Sequence, residues 1–340
     1  MKKLGNINKI IFLLNSIAAT LLLLSFLLPF IPPKTFAVLS VLSLGVPFFI
    51  FINILFFLYW LIKLKEQFII SLVVLLIAYL FFGSLYKISS IEESTTENSI
   101  SVMNYNVRLF NLYNWIEEDN IELKIVDLIK AESPDVLSIQ EYNPHKKVNL
   151  SFYKYKYENL SGTKTKYGQA IFSKYPIINS GSIDFPNTSN NAIFADIVKG
   201  NDTIRIYNIH LESMRIDAKT QHFNEEESER LLKRVAKTFK MQQSQAELFL
   251  EHKNESSYKV IVSGDFNNTE FSYAYKQIKG DLNDAFKVAG SGFGSSYVVE
   301  FFPVRIDFIL ADKDFIIKSF KTFDKKYSDH YPIKALIKLH

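Results

Sequence analysis

The 340-residue chain has no cysteine. Disulfide scaffolds, thiolate zinc sites and cysteine nucleophiles are therefore excluded, while the redox compartment stays open. Acids are almost missing from the first ninety residues: seven lysines and no arginine face a single acid, Glu66. That leaves 32 basic and 34 acidic groups for the remainder, so the overall charge of +4 belongs to the N-terminal lysines. That balance argues against a strongly basic, DNA-coating protein. No 20–50-residue repeat is seen from residue 100 onward.

What the N-terminal third does contain is three uncharged apolar stretches, 10–31, 36–62 and 68–86. At ~1.5 Å per residue, each is long enough for a hydrocarbon layer of roughly 30 Å, tilt absorbing the excess of the second. Pro47 and Asn53 in the second are tolerable inside a bundle, where neighbouring helices satisfy freed polar groups. A cleaved secretory signal is the alternative for the first stretch; its length and the two apolar segments that follow argue against it. Lys2, Lys3 and Lys9 precede the first stretch and Lys63 and Lys65 follow the second, whereas the first loop has only Lys34. The positive-inside rule then puts the N-terminus in the cytoplasm and, after three crossings, the rest of the chain on the outer side. None of the three stretches holds Asp, Glu, Lys, Arg or His, so anchoring is a better expectation than ion or proton transport. The expected organisation is an anchor over 1–88, a polar linker over 89–99 and one large domain over 100–340.

From residue 100 the pattern changes to short β-branched or aromatic-rich runs bounded by Gly, Pro, Asn or Asp. Strands are expected at 101–106, 136–140, 169–173, 192–198, 203–210, 259–263, 305–310 and 333–339. Helices are expected at 117–132, with Ile121, Ile125, Leu128 and Ile129 on one face and Pro134 beyond its end, and at 228–252. Mixed strands and helices favour an α/β sandwich over an all-β barrel.

Strands repeatedly end in an acid, an amide or a histidine. Asn106 closes VMNYN, Glu141 follows VLSIQ, His210 closes IRIYNIH, and Asp265 and Asn267 follow VIVSG. Asp307 lies in VRIDFIL, and Asp329 and His330 in YSDHYPI. Singly, each has a bland explanation as a turn, a cap or a satisfied core imidazole. Jointly they do not. The ordered blocks VMNYNVRLFN, PDVLSIQEYN, YGQAIFSKYPI, IYNIHLES, VIVSGDFNNTEFS, VRIDFILAD and YSDHYPIKALI resemble the endonuclease/exonuclease/phosphatase superfamily across residues 100–340.

The resemblance implies a four-layer α/β sandwich, two packed β-sheets flanked by helices, with a metal-dependent site at one end of the sheets. It implies Glu141 as the main metal carboxylate, Asn106 as a metal-site amide and Asp329 as the acid completing the metal environment. Asp265 and Asn267 match the pair that orients the attacking water and a phosphate oxygen. His330 matches the histidine beside the scissile phosphate, with Asp307 its carboxylate partner, and His210 the second histidine of nuclease and sphingomyelinase branches. Oxygen donors of this kind suit Mg²⁺ or Mn²⁺ rather than zinc. An acid beside His330 makes it either a base toward water or a cationic clamp on phosphate, and the residues alone leave both open.

Arg108 departs from the acid common in DNA-repair relatives; it is a substrate-phosphate clamp or a plain surface arginine. The acid-rich 212–230 segment is a lid or a solvated loop, and the loop is favoured. For substrate, a near-neutral domain tethered to a bilayer favours a lipid-linked phosphoester, a phospholipid, sphingolipid or polyprenyl-phosphate head group. Extracytoplasmic nucleic acid is the alternative. A catalytically inactive binding module is a third reading, against which stands the presence of every expected position.

Overall fold

The computed structural model describes residues 4–83, 85–88, 98–215, 225–298 and 303–339. Most of the 89–99 linker and residues 216–224 of the anticipated loop or lid lie outside them. The chain divides into two compact units: Met1–Leu85 with Ile216–Gln243 and Phe271–Lys276, and Tyr86–Arg215 with Ser244–Glu270 and Gln277–His340.

In the first unit, α1 (Asn6–Ser25), α2 (Pro33–Val41), α3 (Val46–Ile62) and α4 (Phe68–Phe82) are built from apolar residues. With short 3-10 turns joined on, they give two apolar helical runs long enough to cross a membrane, Asn6–Phe30 and Pro33–Ile62. The third stretch falls short of its expected 68–86. Helix α4 has 15 residues, roughly 22 Å, because Gly83 takes a left-handed φ of 79° and ends it. The bundle hides its polar groups and shows its apolar ones. Asn15, Asn53 and Ser71 are buried, while Leu13, Phe51, Leu76 and Leu80 are exposed. Ser71 donates to Asn15 (2.6 Å), and the Asn53 amide donates to the Ala18 carbonyl (3.1 Å), tying α1 to α3 and α4.

The second unit is an α/β sandwich. Its strands are β1 (Ser99–Asn106), β2 (Val136–Tyr142), β3 (Tyr155–Ser161), β4 (Tyr167–Ser173), β5 (Ile177–Asp184) and β6 (Asn191–Lys199). They continue with β7 (Asp202–His210), β8 (Lys259–Asp265), β9 (Asn283–Asp284), β10 (Asp307–Ala311), β11 (Ile316–Thr322) and β12 (Ile333–Lys338). One sheet runs β11-β12-β1-β2-β4-β3, the other β5-β6-β7-β8-β10-β9. Each is mixed: β1–β2 and β7–β8 are parallel, and the other pairs antiparallel. Ile100, Val102 and Val136 of one sheet pack against Ile193, Ile206, Ile261 and Ile309 of the other. Helix α5 (Ile121–Glu132) covers the outer face of the first sheet through Ile121, Ile125 and Ile129. The C-terminal part of α6 (Glu225–Asn254) covers the second, where Phe249 meets Tyr207 edge-on.

Side chains alternate across a strand, so the inner faces can be read along their length. On β1 the inward series is Ile100, Val102, Asn104, Asn106; on β2 it is Val136, Ser138, Gln140; on β7 it is Ile204, Ile206, Asn208, His210. The layer between the sheets is thus dry at one end and polar at the other. The residues expected to form the site are at the polar end.

Candidate active site

Every expected site residue lies in the second unit, at that polar end. Asn106 spans the two sheets: its amide nitrogen donates to Asp265 (3.0 Å) and to Glu141 (3.3 Å). Its carbonyl oxygen accepts from the Arg108 backbone, and its own backbone carbonyl accepts from the Ser328 hydroxyl (2.8 Å). Glu141 reaches this position through a register shift between β2 and β4 and a left-handed φ of 51°. Such a bulge re-aims one side chain without breaking the sheet.

Gly264 sets the position of Asp265, because β8 approaches β7 so closely that a Cβ there would lie 2.1 Å from the Ile209 carbonyl oxygen. Asp265 then faces His210 across the parallel register. Its carboxylate lies 3.7 Å from His210 Nε2 and 3.6 Å from His330 Nε2, and accepts from the Asn267 backbone N–H (2.8 Å). Asn267 holds a left-handed φ of 49° and donates its amide to the Leu211 carbonyl (2.9 Å). Asp307, antiparallel to Asp265, binds His330 Nδ1 at 2.8 Å. The Tyr297 ring stands edge-on to the His330 imidazole, 5.0 Å between centroids.

Charge distribution follows from burial and neighbours. Burial alone would lower His330, but Asp307 and Asp265 outweigh it and hold the imidazole up to about 10, a cation at neutral pH. Burial raises the Asp265 carboxyl, as does Asp307, against the opposing pull of the two histidines. Burial and the Asp329 carboxylate raise Glu141, and His210 is lowered by burial. Asp265, Asp307 and His330 offer ligand atoms within 4.8 Å of one another. With Nδ1 already committed to Asp307, that trio reads as a histidine with two carboxylates. The oxygens of Glu141 and Asp329 suit a hard divalent cation better, while Asn106, expected as a metal-site amide, turns its NH₂ toward Glu141 and its oxygen toward the Arg108 backbone.

Arg108 fits neither expectation cleanly. It pairs with Asp329 (3.1 Å) and lies over Trp115, 4.6 Å from the ring centroid, at the rim. Residues Arg108 to Asn111 all carry positive φ, a left-handed turn of non-glycine residues that the Asn111 side chain fastens to Ile116 (2.8 and 3.0 Å). Sequence reasoning passed over Asn104, Gln140 and Asn208, all fully buried behind the site. Their signal was present: Asn104 and Asn208 sit two residues before Asn106 and His210 on the same strand faces, and Gln140 directly precedes Glu141.

Comparison with known proteins agrees with this architecture. A family profile described as the endonuclease/exonuclease/phosphatase family matches residues 103–330, and one described as a domain of unknown function matches residues 8–85. Among solved structures, an endonuclease/exonuclease/phosphatase family protein from Bacteroides thetaiotaomicron is 16% identical over 72% of this chain and 100% of its own, with a TM-score of 0.55. A humanized D. rerio TDP2 (17% identity, 72% and 100% coverage, TM-score 0.54) is similar. So is the human nocturnin catalytic domain with bound sulfate (17%, 72% and 94%, TM-score 0.53). No curated protein sequence matches. These neighbours share the fold; the profile, spanning more than half of the sequence, shows that the chain belongs to the endonuclease/exonuclease/phosphatase family.

Proposed function

We propose that the chain is a membrane-anchored, divalent-metal-dependent phosphoester hydrolase whose substrate is a lipid-linked phosphoester. The observation that carries the hydrolytic reading is the junction at Asn106, where carboxylates of both sheets, Glu141 and Asp265, meet within 3.3 Å of one amide, with His330 3.6 Å from Asp265. Glu141 and Asp329 would hold Mg²⁺ or Mn²⁺, and Asn106 would join them only by turning its amide oxygen toward Glu141; the two carboxylates fit, being hard oxygens of which Glu141 is raised by burial and by Asp329. Such an ion, when bound, polarises the phosphoryl oxygen and stabilises charge on the leaving oxygen.

The remaining work falls to the chain's own groups. Asp265, with Asn267 beside it, orients a water and accepts its proton as oxygen attacks phosphorus and the P–O bond to the leaving group breaks. His330, held cationic by Asp307, clamps a phosphoryl oxygen as negative charge builds there. His210 borders the other side of Asp265. Arg108, paired to Asp329 and stacked on Trp115, lies where a second anionic group would pass.

The apolar runs Asn6–Phe30 and Pro33–Ile62 support the anchor, and their outward leucines and phenylalanines suit lipid. Helix α4 crosses as well in this reading, short helices being accommodated by local thinning and by lysines such as Lys65 and Lys87 reaching the interface. That puts the catalytic domain on the extracytoplasmic side. Nucleic acid is the competing substrate, favoured only by the exposed Tyr113–Trp115 pair beside Arg108, a surface on which bases stack. A phosphorus-release screen with Mg²⁺, covering phospholipids, sphingomyelin, polyprenyl phosphates, DNA and RNA, separates the two. Turnover confined to nucleic acid overturns the lipid assignment.

A further inference from the structure

Behind the histidine lies a chain of buried amides that the hydrolytic chemistry does not itself require. The Asn208 amide nitrogen donates to the Ile139 (2.9 Å) and Ala170 (3.2 Å) carbonyls. Gln140 Nε2 donates to both Asn208 Oδ1 and Asn104 Oδ1, the latter at 2.7 Å. Asn104 Nδ2 donates to Asp307 Oδ1 (3.3 Å), and the other oxygen of Asp307 takes His330 Nδ1 (2.8 Å).

The direction of every bond in this series is fixed by its ends. Backbone carbonyls only accept, so the NH₂ of Asn208 must face Ile139 and Ala170 and its oxygen must face Gln140. Gln140 must therefore present NH₂, and the Asn104 atom beside it must be oxygen. Asn104 is left with NH₂ toward Asp307, which accepts twice, from Asn104 and from the Nδ1–H of His330. A line with acceptors at both ends needs one group that donates in both directions, and Gln140 is that group. Its own Oε1 is buried with no hydrogen-bond partner, so the two donations of its NH₂ are made at a cost to the fold. The same inner faces carry Ile100, Val102 and Ile206 further along, so the sandwich does not need amides to close.

We infer that Gln140, with Asn104 and Asn208 as its arms, is a directional hydrogen-bond relay that fixes Asp307 as a double acceptor and thereby sets the orientation of the His330 imidazolium, making these three the positioning residues of the site. This inference rests on the hydrolytic reading above for its kinetic consequence. Its structural content stands separately.

The test uses the full-length chain in detergent micelles, labelled with ¹⁵N-histidine, and bis(p-nitrophenyl) phosphate with Mg²⁺ as probe. Asn104→Leu and Gln140→Glu, the latter nearly the same size but acceptor-only, are expected to displace the His330 Nδ1–H resonance. They should also lower kcat on the order of ten-fold, leaving KM within about two-fold. In an Asp307→Ala background Asn104→Leu should add nothing, because the acceptor that Asn104 contacts is gone. An unmoved Nδ1–H resonance in either folded variant, or a full additive loss in that background, overturns the relay. If Gln140→Glu does not fold, Asn104→Leu decides alone. If the wild-type chain turns over no phosphoester, the functional reading fails while the resonance still decides the relay.

Discussion

Replacing Asp307 by Asn removes the charge that makes His330 a cation while keeping the size of the side chain. His330 is 4% exposed and burial alone would lower it, yet the flanking carboxylates hold it from an ordinary 6.5 up to about 10. That displacement corresponds to on the order of 5 kcal/mol of preference for the charged form, most of it owed to Asp307 at 2.8 Å. Without the Asp307 charge, burial is opposed by Asp265, Asp329 and Glu141 alone of the carboxylates named around the ring, and the imidazole shifts toward the neutral form. If His330 acts as a clamp, turnover at pH 7.5 falls roughly 10²- to 10³-fold. The basic limb of kcat/KM, near pH 10 in the wild type, moves down by at least about two pH units.

Stability moves with the same sign. A group raised on folding stabilises fully below its unfolded value and loses that contribution as pH rises through its folded value. The wild type should therefore lose stability between about 6.5 and 10, and Asp307→Asn should flatten that decline. Stopped-time assays from pH 6 to 10 and thermal melts over the same range check both. A basic limb that stays in place, with a rate within about two-fold of wild type, would refute the assignment of His330 as a cationic clamp.

Other consequences are independent of that histidine. Protons compete with a cation for Glu141, which burial and Asp329 hold above its ordinary value, so Mn²⁺ affinity by calorimetry should tighten as pH rises from about 4.5 to 7.5; equal affinities across that range would contradict its role as a ligand. In chelator, Glu141→Gln should melt about 2–4 °C higher than wild type at pH 8, because it deletes a carboxylate the fold disfavours, and should no longer respond to metal. Gly264→Ala places a Cβ 2.1 Å from the Ile209 carbonyl oxygen and should destabilise by on the order of 2–4 kcal/mol, readable as a lowered Tm. A C-terminal alkaline phosphatase fusion should be active and a C-terminal green fluorescent protein dark; the reverse would mean that α4 does not cross.

Much of this was legible in the sequence, and the exceptions have physical reasons. The eight anticipated strands all occur, and the four passed over, β3, β5, β9 and β11, are the edges of the two sheets. Edge strands bury little. Tyr155–Ser161 and Ile316–Thr322 interleave lysines and other polar residues with their apolar ones, which blurs the pattern that marks a central strand. The helix expected at 117–132 begins later, at Ile121, and the one at 228–252 is longer, Glu225–Asn254.

At the site, ordered motifs gave Asn106, Asp265, Asp307 and His330, and the structure gathers them. It could not be read from the residues that Glu141 needs a bulge and a left-handed backbone, or that Arg108 is occupied by Asp329 and Trp115, because both depend on local geometry. The short third helix was missed for a simpler reason: hydropathy counts apolar residues and does not weigh a left-handed Gly83.

The most direct test of convergence at Asn106 is hydrolysis of a phosphodiester by the purified full-length chain, first with chelator, then with Mg²⁺ restored, alongside His330→Ala and Asp265→Ala. The expected result is no turnover in chelator, recovery with metal, and loss in both variants with melting transitions that remain cooperative. Turnover that ignores the chelator, or that survives in either folded variant, would contradict it.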